Sequence, residues 1–247
     1  MSTKRTGRFW LATIASLGGI AITIALGFWQ WGRAAQKVAL QVSIDERRSM
    51  PAIDSKALLG AKSLADIVHR PVLLRGTWLA RYTVFLDNRQ MQGHPGFYVV
   101  TPLQLEGSGI PVLVERGWVQ RNFVDREKLP AIETPAGVVE LRGRVAPPPA
   151  KLYEFAGAAQ GAIRQNLDLA QFRAETGLAL PSLAVQQTGD ASQGLLRDWP
   201  QPGSGSERNY GYAFQWWAIA FVIAFLYAWF QFIVPRQRSR RQARHHA

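Results

Sequence analysis

Two groups of residues in this 247-residue chain have types and spacing that could do chemistry. In RNYGYAFQWWAIA, residues 208–220, Tyr212, Trp216 and Ala220 recur at every fourth position, with Gln215 beside them. On a helix that spacing makes one face, and a flat apolar ligand could lie there, held by ring stacking and a few polar groups. The same aromatics also suit the level where a membrane meets water. The second group is scattered: His94 in the turn-like QGHPGF, Asp87, and Arg116 are the polar residues that an extracytoplasmic enzyme would need. No P-loop, H-E-x-x-H or nucleophile elbow accompanies them, and the acids show no paired-carboxylate spacing. No catalytic residue is assigned, and the chain is read as a non-enzyme. It has no cysteine and three methionines, which excludes thiolate sites and argues against copper carriage by soft ligands. No metal site is assigned.

The elements that must position these residues follow from charge and hydropathy. No residue is charged from Phe9 to Gly32 or from Asn209 to Pro235. At about 1.5 Å per residue, each run is longer than the roughly 30 Å hydrocarbon core of a bilayer. The first is too long for a signal-peptide core and is not closed by a small-residue cleavage site, so it reads as an uncleaved anchor. Within it Ala15, Gly19, Thr23 and Gly27 form a small-residue stripe suited to close helix packing, with the second helix as the simplest partner.

Lys4, Arg5 and Arg8 precede the first run, Arg236, Arg238, Arg240, Arg241 and Arg244 follow the second, and all 17 acidic residues lie between the two. The positive-inside rule therefore predicts cytoplasmic termini and a central portion on the outer side. The net charge of +12 then reflects topology and lipid contact rather than nucleic acid, since no basic patch with interleaved aromatics occurs in the middle.

The expected architecture is a membrane α+β protein, with two transmembrane helices flanking a strand-rich extracytoplasmic domain, an antiparallel sheet or barrel. Its predicted segments are a basic tail (1–8), a first span (9–32), the domain (33–200), a linker (201–208), a second span (209–235) and a basic tail (236–247). RPVLLRGTW, YTVFLDNRQ, GFYVVTPLQL, IPVLVERGWV and VVELRGRVA read as strands, and PSLAVQQTG as one more. The first helix should run on towards Pro51, SKALLGAKSLADIV should be a short helix, and NLDLAQFRAETGL a helix closed by Gly177. Arg-Gly recurs in LLRGTW, VERGWV and LRGRVA. Either each glycine marks a bulge or strand end, with its arginine in solvent, or the arginines share a surface for an acidic partner or propionate groups.

LGFWQWGRAAQK, residues 26–37, resembles the helix-exit signature of the Surfeit-locus-one family of cytochrome c oxidase assembly proteins. FLDNRQMQGHPGFYVVTPL, VLVERGWV and GYAFQWWAIA resemble further blocks of that family, in the same order. The resemblance implies a bacterial inner-membrane chaperone whose periplasmic domain and helices assist haem a insertion into, or maturation of, oxidase subunit I. The haem a synthesis machinery and subunit I would be its partners. It marks Asn209, Tyr212, Gln215 and Trp216 as haem-facing, and Trp29, Gln30, Arg33, Asp87, Asn88, Arg89, Arg116, Gly117 and Trp118 as motif residues for partner contact. Many relatives have a candidate haem-ligating His three positions before the Tyr that matches Tyr212; here that position is Asn209, a poor axial ligand. A scaffold that binds nascent oxidase subunits without haem, or a tethered enzyme, are the alternatives.

Overall fold

The computed structural model describes residues 3–122, 124–125, 128–152, 161–200 and 205–236. Linker residues 201–204 and the C-terminal tail from position 237 lie outside the described residues, as do the side chains of Lys4, Arg5 and Arg8. The chain forms two units, one of residues 1–42 with 202–247 and the other of residues 43–201.

The first unit holds α1 (Thr3–Ser49) up to Val42, together with α5 (Ser206–Ala228), which continues through a π-helical turn at Trp229–Ile233. Both helices are long and apolar enough to cross a membrane. α5 begins at Ser206, directly after Gly205 in the left-handed conformation (φ +82°). Residues 206–208, read as linker, are therefore its first turn.

The second unit is built on a sheet of seven strands: β1 (Pro71–Trp78), β2 (Val84–Met91), β3 (His94–Leu105), β4 (Pro111–Gln120), β5 (Val138–Ala146), β6 (Ile163–Arg164) and β7 (Ala184–Gln187). Their order is β1-β5-β7-β4-β3-β2-β6, and β1 also pairs with β3, so β1, β5, β7, β4 and β3 close a barrel. Closure depends on the length of β3: its first half pairs with β2, while Leu103–Leu105 pair with β1. Most pairings are antiparallel, as expected; β4–β7 and β2–β6 are parallel.

β4 is buried along most of its length because both its faces are covered. Val112 and Val114 join Leu74, Leu103, Leu141 and Val185 in one core, whereas Leu113 joins Leu86, Val100, Leu167 and Phe172 in another beneath α4 (Leu169–Thr176). α4 ends at Gly177 in the left-handed conformation, as its sequence predicts.

SKALLGAKSLADIV forms two short helices instead of one, α2 (Ser55–Leu59) and α3 (Leu64–Ile67). Gly60 ends the first, and Ser63 caps the second through its side chain, a helix-start signal inside the predicted element. Leu58 and Ile67 seal the first core.

Candidate functional site

The helix pair carries the first candidate site. Along α1 the family-like signature splits between two faces. Gly27, Gln30 and Lys37 lie at helical spacing towards α5, whereas Trp29 and Arg33 are exposed, with the guanidinium 5.9 Å from the indole. A Cβ at Gly27 would overlap the Trp217 ring, so only glycine leaves room for that indole. Trp217 also meets Phe28 and Trp31, with ring centroids 5.5 and 5.8 Å away, and Tyr210 lies edge-on to Trp31 at 4.8 Å. Gly19 approaches Ile223, and Thr23 is buried with its hydroxyl donating to the Gly19 carbonyl at 2.8 Å. The small-residue stripe is thus the packing face for α5 at Gly19, Thr23 and Gly27; Ala15 is exposed.

Asn209 joins the two helices. Its Nδ2 donates to Gln30 Oε1 at 2.7 Å, and its Oδ1 accepts from Lys37 Nζ at 2.8 Å. Both ends of the amide therefore brace α5 against α1. A polar cavity of about 500 Å³ opens beside this triad, lined by Lys37, Gly205, Arg208, Asn209 and Tyr212. Further along the same helices lies an apolar groove of about 570 Å³, whose walls include Ile20, Phe28, Trp217 and Phe221. Of the other residues marked haem-facing, Tyr212 and Gln215 are exposed and Trp216 is half-buried. Arg208 and Trp217 are not assigned to a site from sequence, and Lys37 enters there only as the closing residue of LGFWQWGRAAQK. Counting three and four residues along α1 from Gly27 through Gln30 would have reached Lys37.

In the barrel unit, the motif residues hold strands together. Arg89 is buried, and its Nη2 donates to the carbonyls of Ala150 and Gln165, both at 3.0 Å. It follows a bulge in β2 where Asn88 takes a positive φ of 59° and Asp87 accepts from the Asn88 amide. Asp87 also faces Arg121 at 3.6 Å. Trp118 Nε1 donates to the Arg89 carbonyl at 2.9 Å, so two sequence blocks meet directly.

Arg116 is fully buried; it donates to Thr134 Oγ1, the Glu133 carbonyl and Gln193 Oε1, each at 2.7 Å, and lies over the Trp78 ring. Burial, and then the charge of Arg197, lower its pKa to about 10. A Cβ at Gly117 would stand 2.7 Å from the Leu196 carbonyl oxygen, so glycine lets the Leu196 segment pair with Trp118. Gly76 and Gly143 likewise pass close to the backbone at Gln104 and Gln186. The Arg-Gly recurrence is therefore one of glycines at close strand approaches. Its three arginines do not share one surface: Arg75 and Arg142 stand diagonally on the exposed face of β1 and β5, whereas Arg116 is buried.

Glu115 is 3% exposed and accepts from Gln186 Nε2 at 2.7 Å. Burial pushes its carboxyl up to about 7, against the opposing pull of the Gln186 hydrogen bond and the charges of Arg89 and Arg144. His94 is exposed and follows the positive-φ pair Gln92–Gly93, the geometry of a tight hairpin turn. Among the described residues no hydrogen bond or ion pair joins His94, Asp87 and Arg116, and no group of three His, Cys, Asp or Glu could hold a metal ion.

A sequence model described as the SURF1 family matches residues 17–221, across both helices and the barrel unit. A SURF1-like protein of Drosophila melanogaster is 29% identical over 87% of this chain and 75% of its own length. One from Rickettsia bellii is 32% identical over 43% of this chain and 41% of its own. A Saccharomyces cerevisiae protein named Cytochrome oxidase assembly protein SHY1 is 28% identical over 42% of this chain and 26% of its own. The chain thus spans about a quarter to two-fifths of the length of the yeast and Rickettsia bellii relatives. With a match over most of its length, the chain belongs to the SURF1 family.

Proposed function

We propose that the protein is an assembly factor for a haem-copper cytochrome c oxidase, assisting haem a insertion into subunit I or maturation of that subunit. The family match across both helices and the barrel carries this reading, together with the assembly role in the yeast relative's name. In this reading the helices span a bacterial inner membrane, the termini are cytoplasmic and the barrel is periplasmic. The haem a synthesis machinery delivers to the helix pair.

The residues fit one half of a haem and not the other. Lys37 and Arg208 are cations suited to propionates. The groove beside Phe28 and Trp217 suits an apolar macrocycle. Asn209, engaged at both ends of its amide, offers the iron no usual axial ligand. Haem would therefore be held by stacking and propionate contacts, and passed on rather than used.

A deletion strain tests the assembly role: it should lose oxidase activity and haem a absorbance, and normal oxidase spectra would sink the proposal. Protein purified from haem a-producing cells should show a Soret band. Co-purification of subunit I without that band would favour the scaffold reading.

A further inference from the structure

The barrel unit contains a cavity of about 250 Å³, lined by Arg48, His69, Pro71, Gly143, Arg144 and Thr188. Its walls come from five places in the chain: the last turn of α1, the segment between α3 and β1, the first residue of β1, strand β5, and the residue after β7. No acidic residue lines it. Asp45 pairs with Arg48 at 3.6 Å, and the charge of Glu115 acts on Arg144 from the strand side.

Arg144 spends Nε on Gln186 Oε1 at 2.9 Å. Among the described residues no acceptor meets its Nη groups, and neither the His69 ring nor the Thr188 hydroxyl has a hydrogen-bond partner. His69 takes a left-handed φ of 70°, uncommon outside glycine. Its amide donates to the Val145 carbonyl at 2.8 Å, and the Val145 amide donates back to Arg70. The fold therefore holds a residue with left-handed backbone in the wall of a cationic pocket with spare donors, a setting in which strain accompanies function.

We infer that this cavity is a binding site for a compact oxyanion of the phosphate class, with Arg144, Arg48, His69 and Thr188 as its donors. A guanidinium fork with a hydroxyl beside it matches the oxygens of a phosphate group. The site is separate from the helix-pair site and does not depend on the haem reading.

His69 is the internal reporter. Burial first, and then the charges of Arg144, Arg48 and Arg47, hold its pKa below the ordinary histidine value. An anion in the cavity offsets those charges, so binding should raise it. The full chain in zwitterionic nanodiscs, with labelled histidine, would be titrated with inorganic phosphate and followed by NMR. The expected result is a saturable shift of the His69 ring signals and an upward move of its titration midpoint. Arg144→Gln should weaken binding at least about tenfold, and Thr188→Val by a smaller factor. Replacing neutral by anionic phospholipid distinguishes a lipid headgroup, which would shift His69 without added phosphate, from a soluble phosphate. An absent or unsaturable shift in both arms overturns the proposal, as does an equal shift with sodium chloride at matched ionic strength. Tighter binding of acetate than of phosphate overturns the phosphate class. If Arg144→Gln fails to fold, the wild-type titration and Thr188→Val still decide.

Discussion

The helix pair and the barrel use their motif residues in opposite ways. In the barrel, Arg89, Arg116 and Trp118 are buried and bonded mainly to backbone carbonyls and neighbouring side chains. In the helix pair, Gln30, Lys37 and Asn209 bond to one another beside an open cavity, and Trp29 and Arg33 face outward. Motif residues in the first region build the fold. Those in the second hold two helices in register and leave polar groups available to something else. The lesson is that a charged or aromatic motif residue signals function only once its partners are known.

The largest way to break this comparison is Arg116→Ala. Removing a buried guanidinium strands Thr134, Gln193 and the Glu133 carbonyl, at a cost of about 3–5 kcal/mol. Thermal unfolding of the full chain should show a large drop in the Tm of the barrel; an unchanged Tm would contradict an architectural role.

Glu115 gives the next effect, and its sign is fixed. Its carboxyl titrates at about 7 in the fold against an ordinary 4.5, so between those values the folded barrel keeps a proton that the unfolded chain releases. The stabilisation is complete below pH 4.5 and is lost as pH rises through about 7, on the order of 3 kcal/mol in all. Glu115→Gln should flatten that slope in denaturant titrations run across the range.

Gly27→Leu tests the other region. The added side chain meets Trp217 and should part the helices while shifting barrel stability by less than about 0.5 kcal/mol. The chain has no native cysteine, so Gly19→Cys with Ile223→Cys reports helix proximity cleanly: cross-linking should be strong in the parent and weak in the Gly27→Leu variant. Asn209→His should have the smallest effect on stability, below about 1 kcal/mol. Its readout is spectral, a stronger Soret band in protein from haem a-producing cells, and an unchanged spectrum would remove position 209 from the ligand question.

Much of the barrel was legible. β1 to β5 each fall on a predicted apolar run, and α4 ends at the glycine that its sequence nominates. β6 was missed because two residues carry no periodicity, and its pairing with Phe85–Leu86 exists only in the assembled sheet. The split between α2 and α3 was missed because an apolar pattern continued through Gly60 and outweighed the Ser63 cap. In the helix pair, Asn209 was found through a resemblance, whereas its bonds to Gln30 and Lys37 were not, since neither spacing nor composition specifies which faces of two helices meet.

Sequence by itself determined two helices long and apolar enough to cross a membrane, a strand-rich portion between them and an absence of cysteine chemistry, because those properties depend on composition and on periods of two to four residues. Tertiary structure alone decided that Arg116 is buried while Arg75 and Arg142 are exposed, that Trp118 reaches the Arg89 carbonyl, and that Lys37 holds Asn209 across 172 residues. Hydrogen bonds and burial are set by neighbours in space, and strand register and helix facing choose those neighbours only when the whole unit closes.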